Sequence, residues 1–387
     1  MSSLDKHLAE KISKLQTDNL LRTLKTTERE DDAIVIRAGK KLLSFSCNDY
    51  LGMSQNRNVI KAARAAAAKY GTSAGASRLI TGNNPFYDKL EAKLAEICGT
   101  ESALVFSSGY MANVGAIAAL MQPRDLIITD KLSHSCIIEG AILSGAEIKR
   151  FAHNSMEGLE TILSKYRSNY NNCLVITESV FSMDGDSPDM DKINQLAEKY
   201  NSWVMVDYAH DLNHLISIDH RPSTINIIKM GTLSKAVGSY GGYIAGSKTL
   251  IDYLKTSART LVFTTGLPPA TLAASLKSLE IIQKENKRVK KALENASYFR
   301  KIISENLKEL EIGSSNSQIV PLVIGGVEDT LKLSEFLQQK GYLVHAIRPP
   351  TVPVNTSRLR FSFSAEHERS QVDKLCKVLI KYFKKPH

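Results

Sequence analysis

"NCLVITESVFSMDGDSPDMDKINQLAEKYNSWVMVDYAH", residues 172–210, sets two short apolar runs on either side of a segment with helical spacing. The runs "CLVIT" and "WVMV" are apolar on both faces rather than alternating, the pattern of strands covered above and below. Two such strands joined by a helix make a parallel pair. The second ends in Asp207, and His210 follows three residues on.

Working outward, the same arrangement recurs. "SALVFSS", "DLIITD", "EIKRFAH", "INIIKMG" and "GGYIAGS" are further short apolar runs separated by helical segments. The chain therefore reads as an α/β fold with a mostly parallel central sheet covered by helices. Ahead of it, "NVIKAARAAAAKY" is helical by its alanine content, and "AIVIRAGKKLLSFS" reads as two strands around a glycine turn. The opening "MSSLDKHLAEKISKLQTDNLL" alternates charge with Leu and Ile at helical spacing, an amphipathic helix expected to pack on something. After Pro268-Pro269 comes one long helical stretch, then a strand–helix–strand–strand–helix pattern. The expected plan is an N-terminal helix and arm over 1–47, a large α/β domain over 48–266, and linking helices with a small α+β domain over 267–387.

Bulk properties narrow the function classes. A chain of 387 residues suits two or three domains. No apolar stretch approaches the ~18 residues of a membrane span, and no signal-peptide core is present. A cytoplasmic protein with no membrane partner is expected. The five cysteines (Cys47, Cys98, Cys136, Cys173, Cys376) form no C-x-x-C pair, which argues against a zinc site or a disulfide framework. The net charge of +10 is scattered among acids, with no basic block interleaved with aromatics, so no nucleic-acid partner is expected.

The chemistry-bearing residues fall at strand ends, where open parallel sheets bind ligands. "GTLSKAVGSYGG" (231–242) places Thr232 and Lys235 among small residues just after a strand. A solvated loop lysine is the ordinary explanation; a desolvated lysine is a Schiff-base former. Asp207 is either a turn-forming acid or a carboxylate aimed at a ligand. "VFSSGYMANVGAIAAL" supplies a strand, a Ser-Ser-Gly-Tyr turn and a helix start, a ready anion site. "DKLSHSCIIEG" puts His134 at another helix start, where capping is the plain alternative. Together, an anion cradle, a strand-end carboxylate, a histidine to lie over a flat ring and a lysine among small residues describe a pyridoxal phosphate site.

The chain resembles the α-oxoamine synthases, fold-type I pyridoxal phosphate enzymes, along nearly its whole length. The resemblance is carried by "SCNDYLG" (46–52), "GTSAGASRLITG" (71–82), "FSSGYMAN" (106–113), "DKLSHSCIIEGAILSGAEIKRFAHN" (130–154) and "TESVFSMDGD" (177–186). It continues through "VDYAH" (206–210), "GTLSKAVGSYGG" and "RPPTVPVNTSRLRFSFSAEHE" (348–368). It implies that Lys235 forms the imine with the cofactor, that Asp207 partners the pyridinium nitrogen, and that His210 donates to the phenolic oxygen. It implies that His134 stacks on the ring, that Gly109, Tyr110 and Thr232 hold the phosphate, and that Ser182 and Glu178 lie at the cofactor. Asn48 and Arg360 match groups that hold the amino-acid carboxylate; Arg22 and Thr351 match substrate contacts. Thr264 and Thr265 match a segment reaching the phosphate of the other subunit, which implies a homodimer with shared sites. The implied reaction is decarboxylative condensation of an amino acid with an acyl thioester. The branch most resembled joins L-alanine to pimeloyl-CoA or a pimeloyl carrier protein, ahead of branches that use glycine with succinyl-CoA or acetyl-CoA. A non-catalytic scaffold of the same fold would be expected to lack the lysine.

Two departures stand out. Relatives follow the aspartate with an acid, then Ala-His-Gly and another small residue; here Tyr208, Asp211 and Asn213 intervene, and the stretch from Asp207 to Lys235 is shorter. Phe86-Tyr87 replaces a common histidine.

Overall fold

The computed structural model describes residues 2–30, 33–216 and 227–384. These form two compact units: Asn48–Ser182 with Asp186–Lys290, and Met1–Cys47 with Met183–Gly185 and Lys291–His387.

The larger unit is built on a seven-stranded sheet. From edge to edge its strands are Ser102–Phe106, Gly242–Gly246, Ile227–Thr232, Trp203–Asp207, Cys173–Glu178, Leu126–Asp130 and Glu147–Phe151. Gly242–Gly246 is antiparallel to both its neighbours; every other pairing is parallel. The reason is chain length. Residues 233–241 are too few for the crossover of a dozen or more residues that a parallel neighbour needs, so the chain turns straight back. Side chains alternate between two dry faces: Leu174, Ile176 and Met205 enter one apolar cluster, and Cys173, Val175, Val204 and Val206 the other. This is the two-sided burial read from residues 172–210.

Helices Gly109–Leu120 and Ser135–Ser144 pack together on one face. Gly140 allows that approach, because a Cβ there would stand 3.1 Å from Val114 Cα. The long helical stretch after Pro268 is two helices, Pro269–Lys284 and Lys287–Asn306, broken where Glu285 leaves helical geometry. The first of them packs on Arg57–Tyr70 and Phe86–Cys98 and so belongs to the larger unit.

The smaller unit holds a four-stranded sheet (Glu28–Arg29, Ile34–Arg37, Lys40–Ser44, Tyr342–Leu343) and an antiparallel three-stranded one, Ile319–Gly325, Ser357–Ser362, His345–Ile347. Phe299, Phe361, Phe363, Leu337 and Leu375 fill its core. Helix Ser3–Thr17 is closed by a Ser2/Asp5 capping box but buries none of its residues. Its apolar stripe of Leu4, Leu8, Ile12 and Leu15 stays exposed, so the packing expected of this helix is not made among the described residues. Among the described residues, no helix is long and apolar enough to cross a membrane.

Candidate active site

Lys235 sits in a loop that folds back on itself. Leu233 N–H donates to Gly241 O, Gly238 N–H to Lys235 O and Ser239 N–H to Leu233 O. The turn needs glycine at 238: φ is +67°, and a Cβ there would lie 2.4 Å from Ser54 N. Half-buried Lys235 directs Nζ to within 2.7 Å of His210 Nε2. His210 Nδ1 is 2.7 Å from Tyr50 Oη, which donates to Asn48 Oδ1 at 3.0 Å. The donors run in one direction: the phenol proton goes to the amide, so Nδ1–H donates to the phenol oxygen and Nε2 accepts from a lysine N–H. Four residues from three segments thus meet on one path, and three of them (Lys235, His210, Asn48) are among those singled out by sequence.

Asp207 ends its strand buried at 5% exposure. Its Oδ1 accepts from Ala209 N–H at 2.8 Å and its Oδ2 from Asn113 Nδ2 at 2.8 Å. Asn113 is fully buried in the otherwise apolar helix Gly109–Leu120. A second bond runs from its Nδ2 to Cys136 Sγ at 3.1 Å. The next strand ends in register, Glu178 opposite Asp207. Glu178 Oε1 accepts from His134 N–H at 2.7 Å. Burial first, and then the Asp207 carboxylate, push the Glu178 carboxyl up to about 8 against the pull of that N–H and of Lys235. His134 caps its helix by accepting from Cys136 N–H. Burial holds its imidazole below the ordinary value, with Lys235 adding to the effect and Asp207 opposing it.

The anion cradle lies at the start of Gly109–Leu120. Ser108 caps it through Met111 N–H, leaving Gly109 and Tyr110 in a first turn whose N–H groups have no helical acceptor. Glycine is required at 242 because a Cβ there would meet Gly109 N and Cα at 2.5 Å. Thr232 Oγ1 bonds Ser234 Oγ at 2.8 Å and donates to Gly241 O at 3.0 Å. A Cβ on Gly109 would come 3.3 Å from Thr232. Hydroxyls and free N–H groups therefore converge where only small residues fit. With the Asp207 carboxylate and the Lys235 amine on the same sheet edge, these residues fit pyridoxal phosphate.

Other expected site residues are placed as follows. Ser182 is half-buried in the turn after the Glu178 strand. Thr265 bridges to Ser77 beyond helix Arg259–Val262, with Thr264 beside it. In the smaller unit, Arg22 Nη2 donates to Thr351 Oγ1 at 2.9 Å, so two predicted substrate contacts touch each other. Arg360 is buried in Ser357–Ser362 and donates to Ser362 Oγ at 2.7 Å.

The altered run after Asp207 is a packed turn. Tyr208 stacks on His214 with ring centroids 4.0 Å apart, and His214 Nε2 lies 3.4 Å from Cys98 Sγ. Asp211 accepts from the N–H groups of Asn213 and His214. The part of the shorter Asp207–Lys235 stretch at 217–226 lies outside the described residues. Tyr87, at the replaced histidine, accepts from Leu267 N–H at 2.6 Å beneath the Arg78 guanidinium. Sequence reasoning missed Tyr50, Asn113 and Cys136. The available signal was a single buried-type amide in an apolar helix. Among the described residues no group of His, Cys, Asp or Glu could hold a metal ion.

The model of the family "Aminotransferase class I and II" matches residues 40–379. An 8-amino-7-oxononanoate synthase of Methylorubrum extorquens is 46% identical over 379 residues, covering 98% of this chain and 96% of that protein. One of Methylobacterium radiotolerans is 44% identical over 379 residues, covering 98% of each. A serine palmitoyltransferase solved with its pyridoxal phosphate internal aldimine superposes with a TM-score of 0.90 at 27% identity over 98% of both chains. The chain belongs to the aminotransferase class I and II family and, within it, to the α-oxoamine synthases.

Proposed function

We propose that this enzyme condenses L-alanine with a pimeloyl thioester, from coenzyme A or a carrier protein, giving 8-amino-7-oxononanoate, carbon dioxide and free thiol in biotin synthesis. The observation that carries the reading is the meeting of Lys235, His210, Tyr50 and Asn48 beside a buried Asp207. The similarity to synthases of that name supports the substrate pair.

Pyridoxal phosphate, when bound, supplies a carbonyl that condenses with amines and a ring that takes up the electron pair left when a Cα bond breaks. The chain's own residues do the rest. Ser108, Gly109, Tyr110 and Thr232 bind the phosphate by hydroxyls and helix N–H groups. Asp207, held by Asn113 and Ala209, keeps a proton on the ring nitrogen. Lys235 is the base: its neutral amine takes the Cα proton of alanine and later returns a proton to that carbon. Between those transfers a C–C bond forms at the thioester carbonyl, the C–S bond breaks and the thiol leaves. The alanine carboxyl then leaves as carbon dioxide. His210 orients Lys235 Nζ at 2.7 Å. Asn48 is assigned to the alanine carboxylate, and Arg360, Arg22 and Thr351 to substrate on the family resemblance. Ser182 and Glu178 are assigned to the cofactor on the same ground.

A homodimer is part of the proposal. Leu79, Ile80, Tyr110, Met111 and Phe263 are all exposed, on segments that include the cradle itself and the Thr264-Thr265 turn. A second copy covering them would bring Thr264 and Thr265 to its partner's phosphate. A cytoplasmic location is consistent with five free cysteines. The deciding experiment is thiol release by cofactor-loaded protein, comparing L-alanine plus pimeloyl-CoA with glycine plus succinyl-CoA or acetyl-CoA. Release with the first pair is expected; preference for a glycine pair would overturn the substrate assignment.

A further inference from the structure

Three buried groups, Asp207, Asn113 and Cys136, form an unbroken hydrogen-bonded line in the larger unit that ends on the more exposed His134. Asp207 Oδ2 accepts from Asn113 Nδ2 at 2.8 Å, Asn113 Nδ2 also donates to Cys136 Sγ at 3.1 Å, and Cys136 Sγ lies 2.9 Å from His134 Nδ1. Cys136 N–H also reaches His134 Nδ1, at 3.3 Å. The direction of each bond follows from what each atom can do. A backbone N–H can only donate, so Nδ1 must be an acceptor. The sulfur receives one amide hydrogen and has one proton of its own, which goes to Nδ1.

We infer that Cys136 is a positioning residue that holds His134 as the Nε2–H tautomer, and that Asn113 ties this pair to Asp207. The ring then offers an N–H donor from Nε2 and no proton at Nδ1. The placing of that ring over the cofactor rests on the family resemblance; the tautomer itself does not.

The surroundings agree. The charged groups acting on the cysteine are Asp207, Glu178 and Lys235. Burial and the two carboxylates push its thiol up to about 12, so it keeps the proton it must donate. Asn113 cannot turn over, since its two acceptors would then face its carbonyl. That oxygen, Oδ1, is buried with no partner, so an amide orientation that leaves an acceptor unpaired is held by the two bonds on the other side.

The test is nitrogen NMR of the full-length chain labelled with 15N-histidine, with His134 assigned from a His134→Gln variant, with and without pyridoxal phosphate. The expected pattern is an unprotonated Nδ1 and a protonated Nε2 at neutral pH. Cys136→Ser, which retains a donor, should keep it. Cys136→Ala keeps the backbone N–H at Nδ1 but loses the thiol proton, so it should weaken the preference for this tautomer and raise the titration midpoint of the ring by about half to one pH unit. A protonated Nδ1 in the unmodified chain, or an Ala variant indistinguishable from it, would overturn the inference. Should the Ala variant not fold, the unmodified chain and the Ser variant still decide. Thiol release plays no part in this readout, so failure of the alanine–pimeloyl reading would be seen separately.

Discussion

Glu178 and Asp207 stand opposite each other in register on neighbouring parallel strands, so two carboxyl groups end side by side in a buried layer. Their hydrogen-bond surroundings differ. Asp207 accepts from a side-chain amide and a backbone N–H. The Glu178 oxygen receives His134 N–H but is pushed up to about 8, first by burial and then by Asp207.

The stability consequence of Glu178 has a definite sign. Its folded value lies above the unfolded carboxyl range, so the stability this group contributes is whole below about pH 4.5 and is lost as pH rises through about 8. Glu178→Gln keeps the acceptor for His134 N–H and cannot ionise. A pH series of thermal melts should show the decline across that window flattened in this variant.

Lys235→Ala removes the amine placed against His210. Thiol release should fall by about 10²–10⁴-fold, the scale of a lost general base. The yellow, borohydride-reducible cofactor linkage should vanish too; a retained linkage would contradict the lysine assignment.

His153 bridges Asp130 Oδ1 and Asp186 Oδ2, both at 3.0 Å. Burial lowers its basicity, but the two carboxylates outweigh it and raise the imidazole to about 10. This raised value contributes stability that is whole below about pH 6.5 and is lost as pH passes through about 10. His153→Gln should cost about 2 kcal/mol near pH 7, and urea unfolding at pH 6, 8 and 10 should show the cost shrinking upward.

Gly238→Ala should reposition the lysine loop. The left-handed φ alone costs roughly 1–3 kcal/mol, and the added Cβ would meet Ser54 N at 2.4 Å. A lower melting temperature and weaker cofactor retention on dialysis are the expected results.

Phe263 is 72% exposed and Ile80 76%. In the proposed homodimer these faces are covered. Phe263→Glu with Ile80→Glu should shift sedimentation toward the monomer and lower thiol release together; an unchanged sedimentation coefficient would count against the proposed interface.

By itself the sequence determined the sheet and the sheet edge. Short runs apolar on both faces, such as "CLVIT" and "WVMV", read as covered strands by their length and β-branched content, and parallel strands bring their carboxyl ends to one side. Gly109, Asp207, Thr232 and Lys235 are therefore legible as neighbours from pattern alone. The tertiary structure alone decided their partners. Asn113 meets Asp207 across 94 positions, and Tyr50 meets His210 across 160. Periodicity reports which face a residue takes, not which donor on another element will face it. The division of the helices after Pro268, and the uncovered stripe of the first helix, depended likewise on packing between distant segments rather than on local pattern.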